Sequence, residues 1–133
     1  MKKKKGGKLK HVNITKLKKK AWTVFSLWVR KSAADNRGYV ACVTCGRIKH
    51  YKEMQAGHFI PGRHNSILFD PRGCHPQDYY CNIGLKGNPR AYDAYMRREY
   101  GEEVIKELEA LDIKPFSFTA SFLEEIINKY KII

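Results

Sequence analysis

Apolar residues recur at Leu17, Ala21, Val24, Phe25 and Trp28 within "ITKLKKKAWTVFSLWVRKSAADNRG", the spacing of one buried helical face. Asn13 or Thr15 can cap the start of that helix, and Gly38 lies just beyond its end. The next stretch, "YVACVTCGRIKHYKEMQAGHFIPG", places short β-prone runs on either side of a Cys-x-x-Cys turn, which predicts a knuckle leading into a hairpin. Between Ile60 and Gly73, the residues Pro61, Gly62, Asn65, Pro71 and Gly73 predict an irregular loop. Helices resume after "GNP", where Asn88 can cap and Pro89 suits the first helical position. Tyr92, Tyr95, Met96 and Tyr100 form one face, and Val104, Ile105, Leu108 and Leu111 form another after Gly101. Phe118, Phe122, Ile126 and Tyr130 form a third. Packing already explains these stripes, so they read as core rather than as stacking platforms for bases.

This pattern is α+β, and 133 residues suffice for one compact domain. Charge then divides the chain. Net charge is +13, and the first twenty residues hold ten lysines and no acid, whereas the rest carries 16 basic and 13 acidic groups. We therefore expect a basic flexible arm over residues 1–14 and a single domain over 15–133. A polyanionic partner, nucleic acid above all, suits this balance better than a membrane surface. A lysine run is equally well read as a solvated face with no dedicated site. Lys16, Lys18, Lys19 and Lys20 crowd the first turns of a helix whose dipole disfavours cations, a cost that a nearby phosphate would relieve. The N-terminal stretch lacks the apolar run of a signal peptide, and no apolar stretch is long enough to span a membrane, so a cytoplasmic location is expected.

Four cysteines add chemistry. Two residues separate Cys42 from Cys45, twenty-eight lie between Cys45 and Cys74, and six between Cys74 and Cys81. In a reducing compartment this set favours structural Zn²⁺ over disulfides. The competing readings are a redox dithiol, for which the accompanying βαβ pattern is missing, and plain buried thiols. Closing a four-ligand site would tie the knuckle near residue 45 to the segment near residue 81, and so carry His58 and Asn82 towards each other.

The ordered string "AGHF…R…FD…HPQ…CN…GN…Y", after a Cys-x-x-Cys, resembles the HNH (ββα-metal) nucleases and, more specifically, the phage NinG (Rap) recombination endonuclease family. The likeness covers roughly residues 15 to 100. It implies a small zinc-stabilised ββα-metal core with flanking helices, a general base at His58, and Asn82 as ligand of a catalytic Mg²⁺ or Mn²⁺. It gives His75 a metal-binding or phosphate-contacting role. The implied substrate is branched recombination DNA such as Holliday junctions or D-loops, in a phage or prophage within a bacterial host. Hydrolysis of a phosphodiester needs a base near neutrality and a cation against the phosphate, which imidazole and a bound metal supply. His64 and Arg63 are candidates to contact neighbouring phosphates, with Lys86 beside them, and Asp70 to bind a hard metal or orient a histidine. His11 and His50 are read as ordinary loop or core residues, and Asn82 has the plainer alternative of a cap.

Three positions depart from the pattern. Gly57 stands where most HNH enzymes carry a metal-binding Asp, although NinG-like chains also read Gly-His there. Gly73 stands where the middle Asn of the series is expected, and Asp78 where the second Cys-x-x-Cys should begin. Cys74 is the expected replacement zinc ligand, with Asp78 or His75 as alternatives. Cutting two strands of a junction favours a homodimer. The main competing function is a non-catalytic zinc-containing DNA-binding protein, and a basic RNA-associated zinc protein is a third.

Overall fold

The apolar stripe at the N-terminal end of the chain forms α1 (Ile14–Ser32) in a computed structural model that describes residues 12–132. Asn13 is its cap: the side-chain Oδ1 accepts from the Lys16 amide at 3.0 Å, satisfying one of the orphan donors of the first turn. Ala21, Phe25 and Val29 are buried along it. They face α5 (Ala120–Tyr130), whose own cap is Thr119 accepting from the Phe122 amide. Phe25 meets Tyr130 edge-on with ring centroids 4.9 Å apart, an arrangement that sets positive ring edges against a negative ring face. Leu68, Phe69 and Cys74 complete this core from the other side.

Two small antiparallel ribbons sit beside the helices. β1 (Tyr39–Ala41) pairs with β2 (Ile48–His50), with Val40 opposite Lys49. β3 (Gln55–His58) pairs with β4 (Cys74–Gln77), placing Gly57 opposite His75 and His58 opposite Cys74. Ribbons of three and four residues are too short to stand alone in water. They are joined where the Val43 amide donates to the Pro76 carbonyl at 3.0 Å. Pro76 has no amide to contribute, which a two-stranded ribbon tolerates because every strand is an edge.

The segment expected as an irregular loop is partly ordered. It contains the single helical turn α2 (Asn65–Leu68) and a 3-10 helical turn over Pro71–Gly73. The reason is burial: Ile67, Leu68 and Phe69 enter the core, and an ordered turn satisfies the backbone groups they drag with them. Asp70 accepts from the Arg72 amide and so caps the second turn, while the Gly73 carbonyl accepts from the Phe59 amide at 2.9 Å. The loop is thus pinned through Asp70 and backbone groups, with no side chain at residue 73.

After β4 the chain makes one wide, π-helical turn over Tyr80–Gly84. It then enters α3 (Pro89–Glu99) and α4 (Glu102–Asp112), which pack through Tyr92, Met96, Ile105 and Leu108. Asn88 precedes α3 in the left-handed region, at φ 49°, and makes no capping bond. Its side-chain amide instead reaches the Cys81 sulfur at 3.5 Å. The lysines expected in the basic arm at residues 1–10 lie outside the described residues. No described helix is long and apolar enough to cross a membrane.

Candidate metal centre and polar cleft

The turn between β1 and β2 carries Cys42 and Cys45, and its amides fold back on it: Gly46 N donates to Cys42 O, and Cys42 N donates to Arg47 O, both at 2.8 Å. That tight turn aims both sulfurs one way. Cys81, at the start of the π-helical turn, and Asp78, just past β4, come to meet them, so that one ligand atom from each of Cys42, Cys45, Asp78 and Cys81 lies within 4.8 Å of the others. A tetrahedral zinc with bonds of about 2.3 Å to sulfur and 2.0–2.2 Å to oxygen holds its ligands roughly 3.3–3.8 Å apart, so a small contraction closes the site. Three thiols and one carboxylate are the donors a structural zinc takes, and this cluster can hold one.

The electrostatics agree. Removal of the Cys45 sulfur from water, added to by its hydrogen bonds with Asp78, Cys42 and Cys81, pushes its thiol up to about 12. A divalent cation at the centre reverses that cost by stabilising the thiolate. Burial alone would push the Asp78 carboxyl up, but the Cys81 amide at 2.8 Å and the neighbouring thiols and Arg47 hold it below the usual carboxylate range.

Cys74, expected as a ligand, is not one of these four. It is the first residue of β4, its side chain shares a face with His58, and its sulfur is buried in the apolar core beneath α1 and α5. Burial drives its thiol far above the ordinary range, which marks an inert core residue. His75, the other alternative to Asp78, is turned away as well. Its Nε2 lies 2.8 Å from the Arg72 carbonyl, and its ring packs against Tyr92, Tyr95 and Tyr100.

A second site lies at His58, the last residue of β3. A cleft of about 310 Å³ is lined by His58, Arg63, Asn82 and Lys86 together with Trp22 and Ile83, and among the described residues no acidic one lines it. The His58 ring stacks on Trp22 with centroids 5.4 Å apart, and the Arg63 guanidinium lies over Trp22 at 4.4 Å. His58 Nε2 is 3.0 Å from the Leu68 carbonyl oxygen. A carbonyl only accepts, so Nε2 carries the proton and Nδ1 keeps the lone pair. Burial, opposed by that hydrogen bond and aided by the Arg63 charge, holds the ring below its ordinary value of 6.5, so it is neutral at physiological pH.

The packing beside Asn82 explains Gly57. A Cβ there would stand 1.9 Å from Gln77 Oε1 and 3.0 Å from Asn82 Oδ1. The Gln77 amide donates to Thr44 Oγ1 and to the Gly87 carbonyl, both at 3.0 Å, whereas its buried Oε1 has no hydrogen-bond partner among the described residues. Asn82 donates through Nδ2 to Gln55 Oε1 at 2.7 Å, which leaves its Oδ1 facing the same spot. Both amide oxygens therefore approach the space that a side chain at residue 57 would fill, and of the two residues only Asn82, a hard oxygen donor of the type Mg²⁺ or Mn²⁺ accepts, lines the cleft.

The remaining candidates are dispersed. His64 Nδ1 sits 2.6 Å from Asp112 Oδ1 at the end of α4. Both carboxylate oxygens of Asp70 accept from one edge of Arg72, from Nε at 3.1 Å and Nη2 at 2.9 Å, and Arg72 Nη1 in turn reaches Glu107. Neither lines the cleft that holds His58, and His75 lines a different depression beside Trp28 and Tyr100. Of the α1 lysines, Lys18 and Lys19 line a depression that shares Trp22 and Arg63 with the cleft, while Lys16 and Lys20 are exposed elsewhere on the helix. Sequence reasoning passed over Trp22 and Gln77. The signal for Trp22 was its position one residue off the buried stripe and three and four residues after Lys19 and Lys18, on their face. Gln77 stood in the "HPQ" of the ordered string, without a role of its own.

Comparison with known proteins adds the family. A family model described as bacteriophage lambda NinG protein matches residues 1–132. The chain belongs to the NinG family. No curated protein and no solved structure matches it. In this member of the NinG family, the cluster of Cys42, Cys45, Asp78 and Cys81 and the cleft at His58 are separate sites, bridged by the π-helical turn that carries both Cys81 and Asn82.

Proposed function

We propose that this chain is a metal-dependent DNA endonuclease of the HNH type, acting on branched recombination intermediates. The observation that carries the reading is the juxtaposition of a neutral, tautomer-fixed His58 with Asn82, Arg63 and Lys86 in one acid-free cleft. The chain order supports it further: strand β3 carries His58, β4 pairs with it, and the next helical turn carries Asn82.

In this reading, the scissile phosphate enters the cleft between Arg63 and Lys86, whose charges offset its own. Nδ1 of His58 takes a proton from a water placed against the phosphorus, while the Leu68 carbonyl keeps the ring from turning. Trp22 shields one face of the ring from solvent. Asn82 Oδ1 would help to hold the divalent ion, which would supply charge neutralisation at the phosphate and at the leaving oxygen. The zinc cluster has a scaffolding role, fixing the turn on which Asn82 stands. Resolution of a junction takes two cuts, so the working form is expected to be a homodimer.

The absence of any carboxylate from the cleft lining favours one competing reading, a zinc-stabilised DNA-binding protein without catalysis. Incubation of a labelled four-way junction and a matched linear duplex with Mg²⁺, Mn²⁺ or no divalent ion separates the two. Metal-dependent nicking by the native chain that disappears in His58→Ala supports the nuclease; junction binding without cutting under any metal supports the competitor.

A further inference from the structure

Four of the nine exposed large apolar side chains among the described residues fall within seven consecutive positions: Tyr79, Tyr80, Ile83 and Leu85. Tyr80 and Ile83 stand on the π-helical turn and Tyr79 and Leu85 flank it, and the same turn supplies buried Cys81 to the metal cluster and Asn82 to the cleft. The Leu85 amide donates to the Tyr80 carbonyl at 2.7 Å, which closes the turn that carries them. Tyr79 and Tyr80 are 61% and 53% exposed, an expensive way to leave two aromatic rings unless something covers them.

Charge narrows what that something is. From Tyr79 to Tyr92 the chain contains Lys86 and Arg90 and no acidic residue. The Arg47 guanidinium lies over the Tyr80 ring at 5.5 Å, and Ile83 and Lys86 are shared with the cleft at His58. A second copy of the chain docked face to face here would set Lys86, Arg90 and Arg47 against their own equivalents, which like-charge repulsion opposes. A nucleotide has the matching chemistry: an anionic phosphate for the cleft and a flat, apolar-faced base for the rim. In a continuous duplex that base is stacked and paired. At a branch, fork or flap it is free.

We infer that Tyr79 and Tyr80, with Ile83 and Leu85, form a stacking platform for unpaired bases next to the phosphate held at His58 and Asn82, and that this platform selects branched over continuous DNA. The inference rests on the proposed nuclease reading for its nucleic-acid partner, and it assigns discrimination to the exposed apolar rim of the cleft rather than to the residues that hold the phosphate.

The test is binding by the zinc-loaded full chain with Ca²⁺ in place of the catalytic ion, so that the DNA stays intact. The native chain should bind a forked duplex with unpaired bases about tenfold or more tightly than a fully paired duplex of the same length. In the doubly substituted Tyr79→Ser, Tyr80→Ser chain that ratio should fall close to one, with paired-duplex affinity and zinc content unchanged. On the native chain, 5-iododeoxyuridine at an unpaired position should crosslink to Tyr79 or Tyr80 on irradiation, a readout that does not depend on the variant folding. A native chain that shows the forked preference, with an unchanged ratio in the variant or crosslinks confined to other residues, overturns the platform. So does a variant that passes from dimer to monomer in sedimentation while keeping its forked-DNA preference, since the patch then belongs to a second copy. Stacking and discrimination without any cleavage in Mg²⁺ or Mn²⁺ would uphold the platform and sink the nuclease reading, so the two fail separately.

Discussion

His58 Nε2 lies 3.0 Å from the carbonyl oxygen of Leu68, ten residues along the chain in α2, and this bond decides which nitrogen of the ring can act as a base. Nitrogen-15 NMR at pH 7.5 should find the neutral Nε2–H tautomer. Under the proposed function, His58→Ala should lower the cleavage rate by about 10²–10⁴-fold. Because burial holds the ring below 6.5, the rate should be flat above that pH and decline only in more acidic solution. A rate that still climbs between about pH 7 and 8 would assign the base to another group.

The cluster of Cys42, Cys45, Asp78 and Cys81 predicts a zinc stoichiometry that separates ligand from bystander. Metal analysis should give about one Zn²⁺ per native chain. Cys81→Ser or Asp78→Ala should lose the metal and the cooperative unfolding transition. Cys74→Ala should keep the zinc and lose only roughly 1 kcal/mol of stability from core packing. Zinc loss from Cys74→Ala would place that sulfur back among the ligands.

Gly57 is sterically required. Gly57→Ala forces a methyl group to within 1.9 Å of Gln77 Oε1, and Gln77 has nowhere to move because its amide is bonded to Thr44 and Gly87. We expect a loss of about 2–3 kcal/mol in urea unfolding. Gly84→Ala is the control. Its Cβ meets only the exposed Tyr80 ring at 3.2 Å, which can yield, so its cost should be well under 1 kcal/mol.

His75 gives stability a pH dependence. Burial holds its ring below the ordinary 6.5 despite the Arg72 carbonyl, so the folded chain takes up its proton at lower pH than the unfolded chain does. The unfolded state then binds more protons as pH falls below 6.5, and stability falls with it; above 6.5 the two states match and the term vanishes. His58 is lowered in the same direction and adds to the slope. Urea unfolding between about pH 7.5 and 5 should show this decline, and His75→Gln, which can still donate to the Arg72 carbonyl, should flatten part of it. An unchanged slope would place the acid sensitivity elsewhere.

Local pattern carried a good deal of this molecule. The faces of α1, α3, α4 and α5 follow from helical periodicity, and the knuckle before β2 from a Cys-x-x-Cys spacing that only a tight turn satisfies, because each depends on residues a few positions apart. The ordered string contains both His58 and Asn82, which line one cleft.

Tertiary structure decided the rest. Counting along the chain cannot separate Cys74 from Asp78 as a metal ligand, since both lie within reach of Cys81. The strand does: β4 turns the Cys74 sulfur into the core and ends in time for Asp78 to face the knuckle. The same alternation sends His75 among tyrosines, and the packing of α2 and α4 gives His64 to Asp112 and Asp70 to Arg72. Which candidate residues share a site depends on strand facing and on long-range packing, and neither has a signature in the spacing of the residues themselves.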